Sequence, residues 1–129
     1  MKLEQAIAAQ KPLVQSLLDS VAAIGADPPG ITRDAYGRGE NEAHDLIRKA
    51  GEALGMRASI DAGANLSLRW AAENPDAPPI LIGSHLDSIV QGGNFDGAAG
   101  VIAGIAAVAA LRAAGVTPRR DVEVLALRC

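Results

Sequence analysis

Aromatic side chains are almost missing from this chain, which has one Trp, one Tyr and one Phe in 129 residues. A surface that stacks successive bases needs several of them, so single-stranded nucleic acid is a poor partner. Basic residues are also short: 12 Lys and Arg stand against 15 Asp and Glu, a net charge of −3 that leaves no positive footprint for a phosphate backbone. The single cysteine, Cys129, excludes an intramolecular disulfide and fits a reducing compartment. The longest apolar run, the 14 residues from Ala98 to Leu111, falls short of the roughly 20 that span a bilayer. Glu4, Gln5 and Gln10 interrupt the amino terminus where a secretory leader would need an apolar stretch. The expected setting is therefore the cytoplasm, with neither a membrane nor a nucleic acid as partner.

What the chain does have is apolar mass. Hydrophobic residues make up 49%, enough for the core of one domain, and because aromatics are so few that core must come from Ala, Leu, Ile and Val. Small side chains favour helices lying close on a sheet. Leu3, Ile7, Val14, Leu17, Leu18, Val21 and Ile24 keep a helical stripe, with Pro12 suiting a start or a kink and Gly25 a stop. A second helix is expected from about Asn41 to Leu54, with Ala43, Leu46, Ile47, Ala50 and Leu54 inward and a charged outer face that includes His44. Residues 56–60 and 65–70 alternate around Asp61-Ala62-Gly63-Ala64 and predict an antiparallel hairpin. A strand at 80–84, a helix at 97–114 and a strand at 122–127 predict a β-α-β unit with parallel strands. The fold class is α/β, a mixed sheet with flanking helices.

The chemistry concentrates after the short run Pro79-Ile80-Leu81-Ile82, whose unbroken apolar character predicts a buried strand. Gly83-Ser84-His85-Leu86-Asp87-Ser88 leaves that strand, and Gly92-Gly93-Asn94-Phe95-Asp96-Gly97 leads into the next helix. His85 and Asp87 are two apart and point the same way in extended chain. Ligands of open α/β sheets bind at the carboxyl ends of strands, where an imidazole and two carboxylates suit a divalent ion. Gly92 and Gly93 are expected to turn the backbone tightly between the ligands. A plainer reading makes Asp96 the N-cap of the helix, a role that contributes about 1 kcal/mol. Cys129 is a further, weaker candidate ligand at the mouth of the sheet. His44 reads as solvated and outside the site. Gly100 and Gly104 read as a close approach of helix to sheet.

Together, Leu81–Ser88 and Gly92–Val101 resemble the metal-binding core of the hydantoinase/carbamoylase amidases. These include N-carbamoyl-L-amino-acid hydrolases, bacterial-type β-ureidopropionases and allantoate amidohydrolases, in the dinuclear aminoacylase and metallopeptidase superfamily. The likeness extends through Gly30-Ile31-Thr32-Arg33 and Ile60–Leu66. It implies a zinc-peptidase-like α/β/α catalytic domain of which residues 1–129 are the amino-terminal part, the remainder and a dimerisation domain being absent. It implies two divalent ions (zinc, manganese, cobalt or nickel), a small N-carbamoyl or ureido substrate, and a homodimer. By motif position His85 is a metal ligand, Asp96 bridges two ions, and Asp87 belongs to the catalytic set, supporting His85 from behind. The chain departs from the family in having Ala64 where the pattern has glycine before Asn65. It also stops at Cys129, where the family places an acidic pair holding its general base, so this chain by itself is expected to be inactive. An aminoacylase or metallo-exopeptidase of the same superfamily, and a non-catalytic truncated α/β module, remain as alternatives.

Overall fold

The computed structural model describes residues 1–128. Two short helices, α1 (Leu3–Ala8) and α2 (Lys11–Ala23), open the chain. The sequence stripe predicts one helix here, but it breaks at Ala9 and Gln10. Pro12 at the start of α2 cannot donate to the turn before it, and the Gln10 side-chain amide instead donates to the Ala6 carbonyl at 3.1 Å. A two-stranded ribbon, β1 (Ala26–Asp27) with β2 (Gly30–Ile31), leads to α3 (Arg38–Ala53).

The main sheet follows: β3 (Arg57–Ile60), β4 (Leu66–Trp70), β5 (Ile80–His85), then α4 (Ala98–Ala113) and β6 (Val122–Leu127). Its spatial order is β3-β4-β6-β5. β3, β4 and β6 pair antiparallel in succession, while β5 runs parallel to β6, so the sheet is mixed as expected. The registers Leu66↔Ala126 and His85↔Leu127 bring the end of β5, the end of β6 and the hairpin turn to one edge of the molecule.

All helical packing on the sheet comes from one side. A Cβ on Gly51 of α3 would lie 2.5 Å from Leu68, a Cβ on Gly104 of α4 would lie 2.9 Å from Val124, and Leu68 and Val124 are cross-strand partners. Gly100 meets Ser84 in the same way at 2.8 Å, so the two α4 glycines serve close approach to the sheet. Between the layers lie Ile47, Leu66, Leu68, Val101, Ile105, Val108 and Val124, aliphatic as the composition requires. The described residues thus build two layers of the expected three. No helix among them is long and apolar enough to cross a membrane.

One expectation is corrected. β5 is not a buried strand but an edge, with Ile80 41% and Leu81 59% exposed. An unbroken apolar run shows that both faces can be buried. Whether they are depends on neighbours in space, and among the described residues β5 pairs only with β6.

Candidate metal centre

β5 ends at His85, half-buried against the end of β6. Its Nδ1 lies 3.1 Å from the Asp87 carboxylate and 3.1 Å from the Asp87 carbonyl. With acceptors on that side, the proton belongs on Nδ1, which leaves the Nε2 lone pair free. Nε2 faces Asp96, whose carboxylate oxygen is 3.9 Å away. That is slightly less than the sum of two metal–ligand bonds, about 4.2 Å for nitrogen and oxygen on zinc. The pair therefore fits a shared ion after a small adjustment. Asp96 is free for it: its side chain is 69% exposed and makes no capping bond, because the N-cap of α4 is Gly97. The capping role for Asp96 is not realised. The structure thus brings His85, Asp87 and Asp96 together, while Cys129 lies outside the described residues. No group of three His, Cys, Asp or Glu side chains among the described residues gathers closely enough to enclose an ion.

The turn between His85 and Asp96 is made differently from the sequence expectation. Neither Gly92 nor Gly93 has positive φ; Gln91 (φ 49°) and Gly97 (φ 77°) do. Gly97 is the glycine the site requires, since a Cβ there would lie 2.5 Å from the His85 ring and from its carbonyl oxygen. Its signal in sequence was the glycine directly after the second carboxylate.

A second polar cluster lies beside the first, and sequence reasoning missed it. Glu40 is fully buried and His44 is 7% exposed, so His44 is not on the solvated face. The reason is spacing: Glu40, the adjacent pair Ala43 and His44, Ile47 and Gly51 follow one another at three or four residues and form one inward stripe of α3. Glu40 Oε1 is 2.8 Å from Arg128 Nη1 and 3.8 Å from His44 Nε2. Arg128 also donates through Nε to the Ala64 carbonyl (3.0 Å), its backbone amide donates to Asn65 Oδ1 (2.7 Å), and its guanidinium covers the Tyr36 ring. These contacts fasten the end of β6 to α3 and to the hairpin turn. In that turn Ala64 takes φ 63°, so the alanine adopts the left-handed conformation that glycine would adopt without strain.

Burial, and then the charge of Arg128, push the His44 imidazole down to about 4, with Asp87 acting the other way. A histidine neutral in the fold but titrating near 6.5 when unfolded lowers stability as pH falls between those values, because only the unfolded chain takes up the proton. The span corresponds to a loss on the order of 3 kcal/mol between about pH 6.5 and pH 4. Burial raises the Glu40 carboxyl, so its contribution grows as pH falls through its folded value towards 4.5 and partly offsets that loss. Urea midpoints measured across this range should fall in the parent chain and be much flatter in His44→Gln.

A cavity of about 900 Å³ between α1, α2 and α4 is lined mainly by apolar side chains such as Ile7, Leu18 and Ile102 and carries no acid–base pair. His85, Asp87 and Asp96 gather elsewhere, at the carboxyl end of β5.

Residues 65–129 match the family model for peptidase family M28. The chain belongs to peptidase family M28. The chain is 39% identical over 104 residues to the N-carbamoyl-L-amino acid amidohydrolase of Geobacillus stearothermophilus, covering 80% of this chain and 25% of that protein. It is 27% identical over 126 residues to the ureidoglycolate hydrolase of Arabidopsis thaliana, covering 97% and 26%. The crystal structure of a hydantoinase/carbamoylase family amidase from Burkholderia ambifaria superposes with a TM-score of 0.86 at 36% identity, over 91% of this chain and 29% of that one. The M28 chain described here therefore resembles the hydantoinase/carbamoylase amidases, and its relatives are hydrolases. It spans about a quarter of the length of the curated relatives it matches.

Proposed function

We propose that this segment is the amino-terminal part of the catalytic domain of a divalent-metal-dependent amidohydrolase that cleaves carbon–nitrogen bonds of small N-carbamoyl or ureido compounds in the cytoplasm. One observation carries the reading: in an M28 chain, His85 presents Nδ1 to Asp87 and Nε2 to Asp96. His85 and Asp96 would hold the metal, drawn from zinc, manganese, cobalt and nickel, with Asp96 as the residue able to bridge a second ion. When bound, such an ion polarises the scissile carbonyl and lowers the pKa of its water. Asp87 would fix the Nδ1 proton of His85 through its main-chain carbonyl, with its carboxylate charge 3.1 Å away, and so keep the Nε2 lone pair directed at the ion. The open side of Asp96 leaves room for a small substrate.

Since only one imidazole and one free carboxylate converge on the ion position, the 129-residue chain should bind metal weakly and release no measurable ammonia from N-carbamoyl-L-amino acids. A polypeptide of the relatives' length carrying this segment, assembled as a homodimer, should release it in a metal-dependent way. His85→Ala or Asp96→Ala in that polypeptide should remove turnover and metal retention together. The family's name favours a second reading, a metallo-exopeptidase, with an aminoacylase of the same superfamily beside it. Release of amino acids from dipeptides or N-acyl amino acids, without ammonia from carbamoyl compounds, would establish it. Absence of all three activities would leave a non-catalytic module.

A further inference from the structure

The segment Gly30-Ile31-Thr32-Arg33 takes no part in the chemistry above, yet Arg33 is only 1% exposed. Its guanidinium reaches three main-chain carbonyls: Nε donates to Leu86 at 2.8 Å, and Nη1 donates to Val21 and Ile24 at 3.0 and 3.1 Å. Its backbone amide donates to Ser88 Oγ at 2.9 Å, and the Ser88 amide donates back to the Arg33 carbonyl at 2.9 Å. The Ser88 hydroxyl also lies 2.9 Å from the Ile31 carbonyl. Leu86 and Ser88 are the two chain neighbours of Asp87, so Arg33 grips the backbone on both sides of that carboxylate. Nη2 is buried without a partner, and the carboxylate whose charge acts on the guanidinium is that of Asp87. Burial holds the guanidinium below its ordinary value, and the negative charge of Asp87 offsets that in part.

We propose that Arg33 is a positioning residue of the candidate metal centre: it holds the Leu86–Ser88 segment so that Asp87 meets Nδ1 of His85 and Nε2 stays turned towards Asp96. The effect on ion binding rests on the metal reading above. The effect on the His85 ring stands on the apo geometry alone. The competing role is structural, with Arg33 merely tying the end of α2 to the sheet through Val21 and Ile24.

The two roles separate spectroscopically, because the chain has only two histidines and their imidazole ¹⁵N signals report which ring nitrogen carries the proton. Three variants are compared with the parent at alkaline pH, with and without zinc. Arg33→Lys keeps the charge but loses the planar fork. Ser88→Ala keeps Arg33 but removes the hydroxyl its amide bonds. Leu17→Ala destabilises the core of α2 away from the site. The parent should show His85 protonated on Nδ1. Arg33→Lys and Ser88→Ala should show a mixture of tautomers and about tenfold weaker zinc binding, the size expected when a partner behind a ligand is lost. Leu17→Ala should lower the melting temperature and leave both readouts as in the parent. If Arg33→Lys and Ser88→Ala keep the parent tautomer and zinc affinity, whatever they do to melting, Arg33 is structural only and the proposal is overturned. If Arg33→Lys does not fold, Ser88→Ala decides by the same criterion. If zinc leaves the His85 signals of the parent unmoved, the metal reading fails, and the tautomer comparison still decides the role of Arg33.

Discussion

Gly97→Ala should destabilise the chain by about 2–6 kcal/mol and turn His85 away from Asp96. Two costs combine. Gly97 sits at φ 77° and ψ −59°, where a side chain is strained, at about 1–3 kcal/mol. The added methyl would also lie 2.5 Å from both the His85 ring and its carbonyl oxygen, and overpacking of that kind costs about 1–3 kcal/mol. The carbonyl belongs to the last residue of β5 and cannot yield without distorting the sheet, so the ring must. Gly93→Ala is the matched control, since a Cβ there meets nothing within 4 Å. Urea denaturation should place Gly93→Ala within about 0.5 kcal/mol of the parent. A Gly97→Ala chain as stable as Gly93→Ala would show that the approach of Gly97 to His85 is not rigid.

Glu40→Ala should be comparably damaging, at about 3–5 kcal/mol, because it leaves a guanidinium at the end of β6 without its carboxylate. Arg128 is 9% exposed in its side chain, and its guanidinium keeps only the Ala64 carbonyl and the Tyr36 ring once Glu40 is gone. Replacing both members with apolar residues, Glu40→Leu with Arg128→Met, should recover most of the loss, since a buried pair is held against a large desolvation penalty. Chemical denaturation of the single and double variants measures this directly. A double variant no more stable than Glu40→Ala would mean that the Arg128 side chain contributes mainly through Ala64 and Tyr36.

The hairpin, α4 and the parallel β5–β6 pair were legible because each rests on local patterning: Asp61–Asn65 is turn chemistry, and an alanine-rich run of 14 residues has few alternatives to a helix. The approach of His85, Asp87 and Asp96 was legible for a related reason, since a strand, a tight loop and a helix leave little freedom in where their ends meet. Three features were not legible. Glu40 and His44 look like surface charge in composition and declare themselves only when counted at helical spacing against Ala43 and Ile47. The exposure of Leu81 depends on which strand lies beside β5, and no residue of β5 encodes that. Arg33 reads as one more loop cation until the chain brings Val21, Ile24 and Leu86 around it, residues up to 53 positions away.

Zinc titration of the chain, followed through its two imidazoles, bears most directly on the claim that His85 and Asp96 share an ion. The expected result is a saturable displacement of the His85 Nε2 signal with His44 unmoved, weak in affinity, and lost in a folded Asp96→Asn variant. Zinc binding by Asp96→Asn equal to that of the parent, a response confined to His44, or tight uptake of two ions per chain would contradict it.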